Sequence, residues 1–395
     1  MISKPVIQEE IYRMRFTDIY GQFTSKQLTS SEASEILGVS ERTFLRKRRR
    51  YEEDGFDGCF DLRLGKPSPH RAADEEVELV SKLYSERYRG FSVKHFYEFA
   101  CHYHALTKSY SWTKNVLISR KLVQKSTRGG KHRIRRERRP MVGMMLHQDA
   151  STHRWIPDLD YNFDLIVTMD DANSKITSAF FVEEEGTMSS FRGVQETIET
   201  YGLFCSFYTD RGSHYFYTPE AGGKVDKQRL TQVGRALKQL GIRHISAYSP
   251  QARGRSERMF GTLQNRLPKE LALAGIKTIE EANVYLRNVY LPRHNELFMV
   301  PPKETKSAYT PWIGIGLQDI LCVQEERIVQ QDNTIRYNGL VLQIPKNDYR
   351  HHYVKTTVNV HTYQNGSMAV FYGHMCIGKY DSLGNLVREV KCLAA

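Results

Sequence analysis

The stretch Leu203-Phe-Cys-Ser-Phe-Tyr-Thr-Asp210-Arg-Gly-Ser213 decides the reading of this chain. Its first seven residues make a strand buried on both faces, and the run stops at an acidic residue and a glycine. Downstream, residues 241–248 repeat the strand pattern, and Ser249-Pro250 leads into a helix that bears Glu257. Upstream, Thr187–Tyr201 has a helical period, with Phe191, Val194 and Ile198 on one face. Phe163–Asp170 alternates into a strand, residues 176–183 form its hairpin partner, and residues 144–149 form a short apolar strand ending at Asp149. Strands interleaved with helices predict an α/β sheet within residues 141–310.

Past Pro301-Pro302 and Pro311 the pattern changes to short strands only, at residues 323–329, 340–344, 357–363, 367–372 and 375–380. Turns such as Asn338-Gly339 and Asn365-Gly366 separate them, so residues 311–395 are expected to form a small β-barrel. The front of the chain reads as helical. Thr29-Ser30-Ser31 opens a short helix, Gly38 closes it, and Ser40 is placed to cap a second helix that carries Arg42, Arg46, Lys47 and Arg49. Ala33, Leu37, Val39, Phe44 and Leu45 are expected to pack the two, which gives residues 1–65 helix-turn-helix logic. Residues 66–125 read as a second helical, helix-turn-helix-like unit expected to bind DNA, and residues 126–140 as a basic linker containing Arg133, Arg135 and Arg136.

Charge is distributed unevenly. Residues 1–140 carry 29 Lys and Arg against 18 Asp and Glu, whereas residues 141–395 carry 28 against 27, so nearly all of the net +12 lies in the first third. A basic front on a balanced back points to a polyanion-binding module joined to something else; a solvated charged surface is the plainer alternative. At 40% hydrophobic residues the chain has ample material for packed cores. No apolar run is long enough for a bilayer, no signal-peptide core opens the chain, and a cytoplasmic address with no membrane partner is expected. The six cysteines are scattered without a C-x-x-C pair, which argues against a disulfide framework or a structural zinc module.

Asp149, Asp210 and Glu257 stand at two expected strand ends and on the helix after the fifth strand. Two hard divalent cations about 3.5–4 Å apart need a bridging carboxylate plus others that hold each ion, with oxygen rather than sulfur or imidazole donors. Among 45 acidic residues, surface carboxylates and helix caps would account for most.

The residues around these three acids resemble a known family. His-Gln-Asp149-Ala-Ser, Tyr-Thr-Asp210-Arg-Gly-Ser and Tyr-Ser-Pro-Gln-Ala-Arg-Gly-Arg-Ser-Glu257 look like the three signatures of the retroviral-integrase-type catalytic core. Met169-Asp-Asp-Ala, the run from Phe181 to Arg192, and Asn265-Arg-Leu-Pro-Lys-Glu-Leu271 bring the chain closer to bacterial insertion-sequence transposases of the ISNCY type. The resemblance implies a multidomain DDE transposase with an RNase H-like α/β core, and an Asp149, Asp210 and Glu257 triad holding two Mg²⁺, with Mn²⁺ as a substitute. The implied activity is metal-dependent 3′-end cleavage and strand transfer of an element's terminal inverted repeats into target DNA, by a dimer or larger homo-oligomer. Arg211 stands where Asn is frequent in this superfamily, and an insertion lies around residues 217–227. A non-catalytic DNA-binding regulator and an RNase H-like nuclease without joining activity are the alternatives.

Candidate DNA contacts are Arg42, Arg46, Lys47 and Arg49, then Arg133, Arg135 and Arg136, then Ser213, Arg253, Arg255 and Arg258. Arg253, Arg255 and Arg258 either hold phosphate around Glu257 or form an ordinary basic helix. His147 would share a strand face with Asp149, where it orients DNA or simply packs. Asp170 and Asp171 are expected to serve a hairpin turn, and the run from Glu183 to Glu185 to be a solvated strand end.

Overall fold

The computed structural model describes residues 4–59, 72–125, 136–220, 223–226, 228–248, 254–314, 316–347 and 350–388. The chain divides into two compact units, Met1–Arg87 and Tyr88–Ala395.

The first unit holds α1 (Lys4–Thr24), α2 (Ser30–Leu37), α3 (Glu41–Asp54) and α4 (Asp74–Glu86). Local chemistry sets the α2–α3 turn. Thr29 and Glu32 form a capping box at the start of α2, Gly38 ends it at φ 64°, and the Ser40 hydroxyl accepts from the Thr43 amide to start α3. Phe16 of α1, Ala33 and Leu37 of α2 and Phe44 of α3 make the core, with Val39 packed against it. Leu45 differs from the expectation: it lies exposed, because one residue past Phe44 turns about 100° away from the buried face.

In the second unit, α5 (Val93–His104) and α6 (Tyr110–Ser119) precede a five-stranded sheet. The expected second helical unit is therefore divided between the two bodies, with α4 in the first and α5 and α6 in the second. The sheet consists of β1 (Leu146–His153), β2 (Phe163–Asp170), β3 (Ile176–Val182), β4 (Ser206–Thr209) and β5 (Arg243–Ser246), in the order β3-β2-β1-β4-β5. β1, β2 and β3 pair antiparallel, whereas β4 and β5 join β1 in parallel.

Both faces of this sheet are covered, which explains why β2 is buried along its whole length. α7 (Thr187–Tyr201) and α8 (Gln232–Gln239) enclose one core with Leu146, Phe204 and Phe207. α9 (Gly254–Leu273) and α10 (Ile279–Tyr285) close the other over Phe163, Leu165, Val167 and Phe181. A π-helical turn, Leu286–Tyr290, leads from α10 into α11 (Leu291–Phe298). β1 departs from expectation by running on past Asp149 to His153, because its antiparallel ladder with β2 continues there.

After the short α12 (Leu317–Ile320), the remaining strands are β6 (Val323–Ile328), β7 (Thr334–Tyr337), β8 (Leu340–Gln343), β9 (Thr357–Thr362), β10 (Met368–Tyr372), β11 (Met375–Tyr380) and β12 (Leu386–Arg388). Five of them form a sheet in the order β12-β11-β10-β9-β6, and β7-β8 form a separate hairpin. Ile335, Tyr337 and Leu342 of the hairpin share one core with Val358, Val360, Val370 and Ile377 of the sheet. Among the described residues β6 and β12 are edge strands, so the pairing is an open sheet covered by a hairpin, not a closed ring.

Candidate active site

The parallel pairing of β1 and β4 places the first two acids. Leu146 lies opposite Phe207 and His147 opposite Tyr208, and the same register continued two residues sets Asp149 beside Asp210. β4 stops at Thr209 while β1 continues, so the two carboxylates occupy the crevice where the parallel ladder ends. The Asp210 Oδ1 accepts the Gly212 amide at 2.8 Å, which bends the chain sharply after the strand. A Cβ on Gly212 would lie 3.0 Å from the His214 ring and 3.1 Å from that same carboxylate oxygen.

Tyr215 ties the two strands together. Its fully buried hydroxyl donates to Gln148 Oε1 at 2.8 Å, and Gln148 Nε2 donates in turn to the Thr168 hydroxyl at 3.0 Å. Burial pushes the phenol far above its ordinary range, and the charges of Glu185, Asp210 and Asp149 push it further. Of these carboxylates Glu185 is in contact with the hydroxyl, at 3.5 Å. Glu185 also lies 3.5 Å from His214 Nε2, so this residue turns inward, unlike its solvated neighbours Glu183 and Glu184.

Glu257 sits exposed in the first turn of α9. Two anchors set the course of this helix. Near its start Arg255 pairs with Asp171, which accepts from His147 Nε2 of β1 at 2.7 Å; further on, Gln264 Nε2 donates to the Ser151 hydroxyl of β1 at 2.9 Å. α9 thus follows β1 in the same direction, and Glu257 and Asp149 both fall between the anchors. Glu257 and Gln264 are two helical turns apart and share a face. The register puts Asp149 and Asp210 on adjacent strands just past the paired residues, and Glu257 lies on the helix that follows β1. Among the described residues, no three His, Cys, Asp or Glu side chains converge closely enough to hold a metal ion. The donors of the proposed triad are all carboxylate oxygens, the type that hard cations take.

Asp171 is the residue that sequence reasoning missed. It is fully buried and accepts from Arg136 Nη2 (2.6 Å), the Arg139 amide (2.8 Å), His147 and Arg255. Burial alone would raise this carboxyl, but the hydrogen bonds from His147 and the Arg139 amide and the charge of the Arg136 guanidinium hold it well below the usual carboxylate range. Burial keeps His147 neutral. Asp170 does serve the turn, accepting the Ala172 amide at 2.8 Å, and it also holds Gly143 and Tyr309.

Of the expected DNA contacts, Arg133, Arg135 and Arg253 lie outside the described residues. Arg136 and Arg255 have an internal partner in Asp171. Ser213 and Arg258 are exposed beside the acids. On α3, Arg42, Arg46 and Arg49 project into solvent; Arg49 pairs with Glu53 at 2.8 Å, and Lys47 lies 3.9 Å above the Tyr12 ring.

No family model matches the chain. It is similar to the putative transposase y4bF of Sinorhizobium fredii, with 29% identity over 362 residues covering 90% of this chain and 78% of that protein. It is also similar to the transposase for insertion sequence IS1202 of Streptococcus pneumoniae, at 28% identity over 68% of this chain and 65% of that one. Among solved structures it resembles a chain of the simian T-cell lymphotropic virus intasome bound to a PP2A regulatory subunit, with 14% identity, 79% and 99% coverage and a TM-score of 0.35. Another is the HTLV-2 integrase catalytic core in complex with magnesium, with 16% identity, 38% and 86% coverage and a TM-score of 0.29. The similarity to two transposases over most of the chain supports a transposase. Among the described residues no helix is long and apolar enough to cross a membrane.

Proposed function

We propose that this chain is a DDE transposase of the ISNCY type, with an RNase H-like core that cleaves the 3′ ends of an insertion sequence and joins them to target DNA. The observation that carries the reading is the parallel register of β1 and β4, which continued two residues pairs Asp149 with Asp210, with α9 and Glu257 alongside β1. Asp149, Asp210 and Glu257 would hold two Mg²⁺, or Mn²⁺ in its place, and the ions would supply charge stabilisation for in-line displacement at phosphorus. The chain's own residues position the site. Tyr215 and Gln148 fix the spacing of β1 and β4, and the Asp171–Arg255 pair fixes the start of α9. Glu257 then needs only to swing inward from the first turn of that helix.

In this reading α2 and α3 form a helix-turn-helix that recognises the terminal inverted repeats. Arg42 and Arg46 would reach bases or phosphates from the exposed face of α3. Ser213 and Arg258 would touch the DNA near the reacting bond. An element has two ends, so the working form is at least a dimer. The C-terminal sheet and hairpin would be the barrel-like module that bridges protomers or DNA.

A strand-transfer assay with pre-cleaved element ends tests the proposal. Wild type with Mg²⁺ should give joined products, and neither Asp210→Ala nor wild type in EDTA should do so. Joining by either would reject the mechanism. Cleavage without joining would indicate a nuclease, and specific binding with no reaction, even in Mn²⁺, a regulator.

A further inference from the structure

A cavity of about 560 Å³ lies where the basic linker meets the sheet, lined by Arg136, Arg138 and Lys303 around Ala172, with Glu137 its one acidic residue. Its size is that of a ligand pocket. Two backbone bonds and one side-chain bond brace its walls. The Glu304 amide donates to the Pro140 carbonyl and the Val300 amide to the Asn173 carbonyl, each at 2.9 Å, while Arg138 Nη1 reaches the Asp171 carbonyl at 2.9 Å. Pro140 and Pro301 stiffen the two strands of chain that face each other across it.

The charges here are arranged rather than scattered. Asp171 lies below Ala172, and its carboxylate is taken up by Arg136, the Arg139 amide, His147 and Arg255. That buried anion gathers the linker arginines at the cavity without facing into it. Lys303, on the opposite wall, is exposed and makes no ion pair among the described residues. With Arg136 held by Asp171, the positive side chains Arg138 and Lys303 outnumber Glu137 in the lining, a balance that suits an anion.

Location identifies the anion. Asp171 is bonded to His147, two residues before Asp149 on the same face of β1, a separation of roughly 7 Å. Each DNA strand carries one charge for about every 3.4 Å of helix axis. A strand whose reacting bond lies at Asp149 and Asp210 carries further phosphates on either side of that bond, and the linker arginines gathered by Asp171 stand on the His147 side of it.

We propose that the Arg136, Arg138 and Lys303 cavity binds a backbone phosphate of the DNA strand being processed, close to the reacting bond. The proposal rests on the transposase reading and adds Arg138 and Lys303 to the residues expected to touch DNA. It is a phosphate contact, so it holds the strand in register and carries no base specificity.

The test is the salt dependence of binding of a fluorescein-labelled random-sequence duplex to the full chain, followed by fluorescence anisotropy. Lys303→Gln should lower the slope of log K against log salt by about 0.9, the value for one lost phosphate contact. It should weaken binding several-fold and leave the ratio of element-end to random affinity unchanged. Lys277→Gln removes another exposed positive charge, from the loop after α9, and should leave the slope as in wild type. Strand transfer is measured on the same preparations to separate two failures. If wild type binds and joins DNA while Lys303→Gln keeps the wild-type slope, or both lysine variants lose it equally, the cavity assignment is overturned and the transposase reading stands. If wild type neither binds nor joins DNA, both fall together.

Discussion

Replacing Asp171 by Asn keeps the shape of the side chain and removes one buried negative charge, and its effect follows from the partners. The Asp171 side chain is 1% exposed and that of Arg255 is 11% exposed, so the variant leaves a buried guanidinium without its counter-charge. Breaking a buried pair from one side costs about 3–5 kcal/mol. Arg136 is 40% exposed at its side chain, and solvent screens its share, so it adds little. The new amide can still accept from some of the former donors, which keeps the total near the lower end. We therefore expect about 3 kcal/mol of destabilisation in the unit that contains the sheet, read from its urea unfolding transition. The pH dependence has a definite sign. Asp171 is held below its unfolded value, so its stabilisation is complete above about pH 4 and is lost as pH falls through the folded value. The difference between wild type and Asp171→Asn should be flat from neutral pH to about pH 5 and shrink in more acid solution. A loss below about 1 kcal/mol, or a difference that widens on acidification, would refute the reasoning.

Other consequences are as direct. His95 of α5 hydrogen-bonds Glu270 of α9 at 2.8 Å, and burial followed by the charges of Arg266, Lys269 and Arg293 lowers its pKa to about 2. The unfolded chain takes up a proton near pH 6.5 that the folded unit refuses, so stability falls with pH below that point; His95→Gln should remove up to about 1.4 kcal/mol per pH unit of this slope in acid-unfolding curves. Tyr215→Phe strands the Gln148 carbonyl in the core, costing about 1–3 kcal/mol in urea unfolding, and it should lower the rate of strand transfer with little change in DNA affinity. Ser40→Ala removes the cap of α3 and should cost the first unit about 1 kcal/mol, whereas Ser40→Asp should retain most of the stability in thermal melts.

Much of this architecture was legible because its signals are local. Thr29, Gly38 and Ser40 announce their helix ends by residue type alone, and β2 and α7 carry clean periodicities over their full length. The three-residue β12 was missed because it is too short to establish a period, and β7 because its Thr-Ile-Arg-Tyr run holds only two apolar side chains. The end of β1 was misplaced for a different reason: only pairing with β2 carries the strand past Asp149, and that pairing is invisible in the run itself. Asp171 shows the limit most clearly. Its side-chain partners His147, Arg136 and Arg255 lie 24, 35 and 84 positions away, so a residue that resembles turn chemistry is the junction of linker, sheet and helix. Tyr215 and Glu185 are alike in this respect, since no spacing rule connects them to Asp149. A buried tyrosine five residues past a strand-end aspartate is the one hint the sequence offers.

The central claim is that Asp149, Asp210 and Glu257 act together as ligands of two cations, and anomalous diffraction from crystals soaked in Mn²⁺ tests it most directly. Two peaks about 3.5–4 Å apart between Asp149 and Asp210, with Glu257 turned in from α9, are expected. Soaked crystals with no peak at those carboxylates, or with manganese held only elsewhere on the chain, would contradict the account.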